Sequence, residues 1–309
     1  MLGYVVKRIL SAIPTLFVLV ALAFFMMRMA PGGPFDTDRI LSPDIQANLE
    51  RAYHLDEPLI QQFARYLGNL LQGDFGPSFQ YKDQTVSDLI ALGFPVSLTL
   101  GLAAMVIAIV FGVTLGSVAA LKQNKVQDHL LMSLAMVGIS IPNFVVAPVL
   151  VLVFAIYFDW LPAGGLGGST LQLQNMVLPI IALSLPQIAY IARLTRASMI
   201  EVLNSNFIKT ARAKGLSERR VVLVHALKPS LLPVVSYLGP ATAGILTGSV
   251  VIEQIFGIPG LGRYFVQGAL NRDYTLVLGV VIFFGCLIIL FNLLVDLVYA
   301  WLDPKIRQS

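Results

Sequence analysis

Residues 193–228 read RLTRASMIEVLNSNFIKTARAKGLSERRVVLVHALK and lie between two long apolar stretches. This segment holds eight of the 21 lysine and arginine residues of the chain and only two glutamates. Lysine and arginine resist transfer across a membrane, so a basic loop between apolar spans indicates the cytoplasmic side. On charge alone, the segment could be a solvated loop that only sets topology, or a surface for another protein.

The middle of this segment predicts two short helices around a glycine. Residues 207–214 are good helix formers, and Gly215 is a plausible helix stop. Ser217 can cap a second helix through residues 221–227, before Pro229. Two short helices that project from a membrane protein would form a docking element.

The composition of the 309-residue chain is that of a polytopic membrane protein. Its mean hydropathy is +0.79, 57% of its residues are hydrophobic and 12% are charged, whereas soluble domains carry roughly 25% charged residues. The net charge of +4 follows from basic loops on one side of the membrane, so nucleic acid is not indicated as a partner. The single cysteine, Cys286, excludes an internal disulfide.

Six apolar stretches come near the roughly 20 residues that a helix needs to cross a bilayer. The predicted spans are residues 9–27, 94–121, 130–158, 176–192, 229–252 and 274–295. The first is longer than the roughly 7–15 residues of a signal-peptide core, so we expect it to be retained. Fourteen lysines and arginines lie on the side of the two termini and seven on the other side, which predicts that both termini are cytoplasmic.

These spans predict an all-α polytopic membrane protein. Its parts are a first transmembrane helix, a periplasmic segment, and a domain of five helices with a cytoplasmic loop inside it: residues 1–30, 31–93, 94–302 and 193–228. In the periplasmic segment we expect a helix at residues 45–52. A second helix should follow Pro58, with apolar residues at helical spacing from Leu59 onward.

Polar and small residues inside the spans are candidates for the lining of a passage. Two prolines interrupt the third span, and a proline kink frees carbonyl groups that can line a cavity. The fifth span is rich in small residues, which leave room for a passage or allow close helix packing. The candidate passage or gate residues are Asn143, Gly244, Thr247, Ser249 and Glu253. An ordinary kinked and tightly packed bundle explains the same pattern.

The sequence lacks the common motifs of ATP-binding proteins, metalloenzymes and hydrolases. There is no G-x-x-x-x-G-K-[ST] loop for ATP and no H-E-x-x-H, C-x-x-C or G-x-S-x-G, and three scattered histidines predict no metal site. The only charged residue at a span is Asp296, near its cytoplasmic end, with Asn292 one turn before it. A membrane-embedded hydrolase or transferase that uses these two residues, and a structural adaptor, stay open as alternatives. We expect no enzyme here, and uphill transport would take its energy from another chain.

Residues 210–215, TARAKG, followed by a short helix and Pro229, resemble the conserved cytoplasmic loop of binding-protein-dependent ABC importer permeases. That loop generally begins with glutamate where Lys209 stands here, and the peptide-importing branch often has a basic residue at this place. The resemblance extends over the whole chain, through residues 12–15, 29–32, 73–79, 253–262, 271–274 and 296–306. The oligopeptide importers are the branch that it resembles most, with dipeptide and nickel importers as near relatives.

The resemblance implies the ABC importer type I permease fold, with six transmembrane helices in the inner membrane of a bacterium. It implies a permease subunit that translocates oligopeptides with the energy of separate ATPases, or alternatively a dipeptide or nickel importer permease. ATP and magnesium would bind to the partner subunits, and this chain would bind no cofactor or metal.

The implied partners are a second homologous permease, two ATP-binding subunits, a periplasmic peptide-binding protein, the peptide substrate and membrane lipid. Closure of the ATPases would push on the loop 205–228 and switch the spans from inward to outward opening. The implied ATPase-coupling residues are Lys209, Thr210, Ala211, Arg212, Ala213, Lys214, Gly215 and Leu216.

Overall fold

A computed structural model describes residues 2–29, 54–81, 83–165 and 173–302, and nearly all of them are helical. Within these ranges, five helices are long and apolar enough to cross a membrane, and a bent pair makes a sixth span if it is counted as one. The prediction of an all-α polytopic membrane protein is therefore confirmed. The side on which the termini lie stays a prediction, and the predicted helix at residues 45–52 lies outside the described residues.

The helices are numbered here in chain order. The first three are α1 (Leu2–Met29), α2 (Leu59–Leu70) and α3 (Val86–Leu121). The middle of the chain forms α4 (Val126–Ser140), α5 (Asn143–Leu150), which continues as a π-helix (Val151–Tyr157), and α6 (Leu173–Leu203). Short elements follow: α7 (Asn206–Ala213), then α8 (Glu218–Arg220), a π-helix (Val221–Ala226) and α9 (Leu227–Ser230). The last are α10 (Leu232–Ile255), α11 (Leu261–Leu270) and α12 (Tyr274–Leu302).

Several helices extend beyond the spans predicted for them, and α3 and α6 are two of these. Helix α3 begins at Val86, before the predicted start at residue 94, and α6 ends at Leu203 rather than at residue 192. Arg193 therefore lies on a helix and not in a loop. Arginine is a good helix former, and the guanidinium carbon of Arg193 lies 5.3 Å from the centre of the Tyr190 ring.

The third span is broken rather than kinked. Helices α4 and α5 meet at an angle of 102°. Between them Ile141 has φ −95° and ψ 120°, and Pro142 has φ −60° and ψ 143°. The proline ring excludes the residue before it from the helical region and removes a backbone donor, so α4 ends where the Ile-Pro pair begins.

The chain divides into two compact units, and the first comprises residues Met1–Val96 and Pro259–Ile289. In this unit α2 packs its apolar face against α1 and α12. The cluster consists of Val20, Phe24, Leu278 and Ile282, with Phe63, Tyr66, Leu67 and Leu70 of α2 packed on it. The predicted helix after Pro58 is confirmed, although Leu59 is exposed and lies outside this cluster. Helix α11 was not predicted.

The second unit comprises residues Ser97–Ile258 and Leu290–Ser309. Its centre is a buried cluster on α3, α6 and α10 that includes Met105, Ile191 and Ile245. Two glycines one turn apart on α3 bring it close to α6. A Cβ atom on Gly116 would lie 2.4 Å from the carbonyl oxygen of Ala192, and one on Gly112 would lie 2.7 Å from the Ile191 side chain. Only glycine fits at these two positions.

Candidate functional site

The basic segment folds into a helical hairpin, and we use this name for residues 204–230. Helix α7 buries Ile208 and Ala211 in a cluster with Ala120, Met199, Val221 and Ala226. Met199 lies on α6 and Ala120 on α3, so the hairpin packs directly on two long helices. Helix α7 begins and ends within one residue of the predicted helix at 207–214, which is thereby confirmed.

The turn of the hairpin depends on Gly215, whose φ of +78° is rarely adopted by residues with a side chain. Its amide donates to the carbonyl oxygen of Arg212 at 2.9 Å. Ser217 occupies the N-cap position of α8, but its side chain makes no capping hydrogen bond. Its carbonyl oxygen accepts from the amides of Arg220 and Val221 at 2.9 and 3.0 Å. The second helix is confirmed, although its central part is π-helical rather than α-helical.

An ion pair joins the two sides of this turn. The Arg212 Nε and Nη2 atoms donate to the two carboxylate oxygens of Glu218 at 2.7 and 3.2 Å. The hydrogen bond from Arg212 lowers the pKa of Glu218, and the same bond raises the pKa of Arg212. Both side chains remain largely exposed, so the pair shapes the turn more than it stabilises the fold.

The predicted coupling residues divide between two environments. Ala211 is buried and Leu216 is half-buried, so both point into the unit. Six others are exposed: Lys209, Thr210, Arg212, Ala213, Lys214 and Gly215.

Apolar side chains outside the predicted set of coupling residues are also exposed on the hairpin. Phe207, Leu223 and Val224 are 51%, 53% and 59% exposed. In the run VVLV at 221–224, only Val221 is buried. Four consecutive apolar residues in a basic loop were a signal that one helix cannot bury all of them in one core. A surface that combines exposed apolar side chains with lysines and arginines is typical of a contact with another protein.

An ion pair between a half-buried arginine and a buried carboxylate fixes the helix on which the hairpin stands. The Arg196 Nε and Nη2 atoms of α6 donate to the two carboxylate oxygens of Asp128 of α4, both at 2.6 Å. Asp128 is 1% exposed and also accepts from the amide of Asn124 at 2.9 Å. Because Met199 lies one turn after Arg196, this bidentate pair holds α6 just before it meets the hairpin. In the sequence, Arg196 was only one of the eight basic residues that indicate the cytoplasmic side.

The passage candidates on α10 lie on different faces of that helix. Gly244 is exposed with open space beside it, and Thr247 is half-exposed. Ser249 and Glu253 are both completely buried. The hydroxyls of Ser249 and of Ser97 on α3 donate to Glu253 Oε1 at 2.7 and 2.6 Å. Ser249 and Glu253 thus join two helices, whereas Gly244 and, in part, Thr247 are accessible.

The remaining candidate, Asn143, is the first residue of α5, after the break in the third span. Its side chain is half-buried, and its Oδ1 atom has no hydrogen-bond partner among the described residues. A buried amide oxygen without a partner is costly unless a water or a ligand completes it. Asn143 therefore remains a candidate for contact with a transported molecule.

Comparison with protein families matches both parts of the chain. Residues 112–308 match the model of the binding-protein-dependent transport system inner membrane component. Residues 1–101 match the N-terminal model for membrane components of the same transport systems. These two matches together cover the chain almost from end to end.

Curated relatives are similar over the full length. The chain is 58% identical to the oligopeptide transport system permease protein OppB of Haemophilus influenzae, over 99% of this chain and 100% of that protein. It is 59% identical to OppB of Escherichia coli K12 over the same shares. It is 45% identical to the dipeptide transport system permease protein DppB of Bacillus subtilis, over 99% of this chain and 98% of that protein.

Solved structures share the fold at low identity. The inward-facing MetNI methionine ABC transporter matches with a TM-score of 0.59 at 16% identity, over 70% of this chain and 96% of that chain. An amino acid ABC transporter solved with histidines matches with a TM-score of 0.54 at 18% identity, over 69% and 94%. These matches confirm the predicted ABC importer permease fold. The two family models and the full-length relatives show that the chain belongs to the inner membrane components of binding-protein-dependent transport systems.

Proposed function

We propose that this chain is a membrane subunit of an ATP-driven importer of oligopeptides. The observation that carries the proposal is the identity of 58–59% over the full length to oligopeptide permease proteins. The identity to a dipeptide permease is 45%, which makes dipeptide import the second candidate. A nickel importer would want imidazole or carboxylate ligands along its route, and the described residues contain no group of three that could hold a metal ion.

In this proposal the hairpin is the contact for an ATP-binding subunit. Its exposed surface combines Lys209 and Lys214 with the apolar side chains of Phe207, Leu223 and Val224. The hairpin packs on α3 and α6 through its buried face, so a push on the exposed face would move those helices. ATP and magnesium belong to two partner ATPases, and this chain hydrolyses nothing itself.

The passage runs along the exposed stripe of α10, between this chain and a second homologous permease. Exposed or half-exposed residues recur at helical spacing on this stripe: Pro233, Ser236, Pro240, Gly244, Thr247 and Val251. Small and weakly polar residues leave room for peptides of varied sequence, because they form no tight side-chain pocket. A periplasmic binding protein would deliver the peptide.

The test is peptide uptake by the complete importer in proteoliposomes, with ATP hydrolysis measured in the same samples. Leu223→Asp and Val224→Asp change exposed residues, so we expect folded protein whose uptake falls at least about tenfold as the ATPase contact weakens. Leu270→Asp is the matched control, since Leu270 is 73% exposed on α11, outside the hairpin. Normal uptake with both hairpin substitutions, or purification without any ATP-binding subunit, would overturn the proposal. Ala211 is a predicted coupling residue too, but it is buried, so Ala211→Asp would disturb the packing of the hairpin and could not test the contact alone.

A further inference from the structure

A cavity of about 180 Å³ lies within the first unit, where α1 ends beside α2 and the start of α12. A water molecule occupies about 30 Å³ in the liquid, so the cavity has room for about six waters or one small anionic group. Phe24 and Leu278 form apolar walls, and polar side chains of α1 and α2 form another part of the lining. The lining also includes His54, Gly76, Pro77, Phe79 and the first two residues of α12.

The charged side chains that line the cavity directly are basic. Arg28 lies in the last turn of α1, with its guanidinium carbon 5.5 Å from the centre of the Phe24 ring. Arg65 of α2 donates to Glu57 Oε1 at 2.6 Å, and His54 Nδ1 lies 3.2 Å from the same oxygen. Among the described lining residues there are two arginines and a histidine but no aspartate or glutamate. Two carboxylates lie next to the lining: Glu57 pairs with Arg65, and Asp74 accepts from the amide of Gly76 at 2.8 Å. Neither of them is a lining residue.

Two buried polar atoms at the cavity lack a partner. Gln62 is 7% exposed, and its amide nitrogen donates to the carbonyl oxygens of Leu55 and Glu57 at 3.1 and 2.7 Å. These bonds fix the amide, yet Gln62 Oε1 has no partner among the described residues, and neither does the hydroxyl of Tyr66. Burial, with a smaller contribution from Asp74, raises the pKa of Tyr66, so this hydroxyl keeps its proton and can donate. Buried polar atoms in native proteins are normally completed by a water or a ligand.

We propose that this cavity binds a phosphate ester, and that its occupant is the head group of an acidic phospholipid. Arg28 and Arg65 would hold the phosphate, with a donated hydrogen bond from Tyr66. Gln62 Oε1 would accept a hydrogen bond from a hydroxyl of the head group. The position favours a lipid, because α1 leaves its apolar span at Met29, where phosphate groups of a bilayer lie. The amphipathic face of α2 packs on the same helix.

Native mass spectrometry of the purified importer complex tests this site. The complex is supplied with phosphatidylglycerol, phosphatidylcholine or inorganic phosphate at matched concentrations. We expect the wild-type chain to retain one phosphatidylglycerol. In Arg28→Gln and in Arg65→Gln, we expect the affinity for this lipid to fall at least about tenfold. Arg263→Gln is the matched control, because Arg263 is an exposed arginine on α11 and does not line the cavity.

Tyr66→Phe keeps the test valid if an arginine variant fails to fold. It removes only the hydroxyl without a partner, so thermal stability without lipid should not fall, while lipid affinity should drop several-fold. Displacement of the lipid by inorganic phosphate at similar affinity would support a phosphate site but assign it to free phosphate. Equal lipid retention by the wild type, Arg28→Gln, Arg65→Gln and Tyr66→Phe would overturn the proposal.

Discussion

The hairpin and the crossing of α3 with α6 beneath it are built in opposite ways. At the crossing, Gly112 and Gly116 leave no space for even one added carbon. In the hairpin, by contrast, most of the turn between α7 and α8 is exposed, and Gly215 has open space beside it. Ala120 and Met199, each one turn past the crossing, join the two regions. A tightly packed crossing that supports an exposed surface allows the surface to change without loss of the fold.

Gly116→Leu is the change that should harm the protein most. Its side chain would start 2.4 Å from a carbonyl oxygen of α6, and backbone atoms cannot move aside as a flexible side chain can. We expect a loss of more than about 3 kcal/mol and little folded protein in detergent. Size-exclusion chromatography of detergent-solubilised membranes measures the amount of folded protein. Gly244→Leu is the control, since nothing lies within 4 Å there. If both variants eluted like the wild type, the crossing would not be the rigid region.

Asp128→Ala should have the next largest effect. The substitution leaves the Arg196 guanidinium, which is 28% exposed, without its bidentate partner and the Asn124 amide without an acceptor. We expect a loss of about 2–3 kcal/mol, below the range for fully buried pairs because water can reach Arg196. Thermal unfolding of the purified protein measures the loss.

The double variant Asp128→Ala with Arg196→Leu is the informative comparison for this pair. Removal of both partners leaves no uncompensated charge, so much of the stability should return. Recovery of stability without recovery of transport would mean that the pair positions the hairpin as well as the helices. Identical stability in the single and the double variant would contradict the structural role of the pair.

Glu253 allows a finer test of how α3 and α10 are joined. Glu253→Ala would remove the shared acceptor of Ser97 and Ser249 and leave a cavity, at a loss of about 2 kcal/mol. Glu253→Gln keeps an acceptor oxygen of the same shape, so we expect a loss under about 1 kcal/mol. Thermal unfolding in detergent separates the two. An equal loss in both variants would show that the charge, and not the hydrogen bonds, joins the helices.

These residues also show what the sequence could predict. Helix α7 and the turn at Gly215 follow from local propensity and were predicted closely. The partners Asp128 and Arg196 lie 68 positions apart, so no local pattern connects them. Gly112 and Gly116 have the spacing of a small-xxx-small packing motif, and that signal was overlooked. Glu253 looked like a pore residue because it is a glutamate beside a turn. Its donor Ser249 lies only one helical turn before it, but the other donor, Ser97, lies 156 positions away and no local pattern connects them.

The smallest predicted effect concerns Glu218, on the surface of the hairpin. Because Arg212 lowers the pKa of Glu218, the ion pair contributes stability above the ordinary carboxyl pKa of 4.5, and this contribution disappears as the pH falls through the lowered value. Glu218→Gln should therefore melt slightly below the wild type at pH 7, and at the same temperature once the carboxylate is protonated. The difference should also shrink in 1 M salt, since exposed charges are screened. Glu201→Gln, an exposed change on α6, is the matched control. A large loss of stability in Glu218→Gln would mean that the fold depends on this turn. That result would contradict the contrast between the exposed hairpin and the tightly packed crossing of α3 with α6.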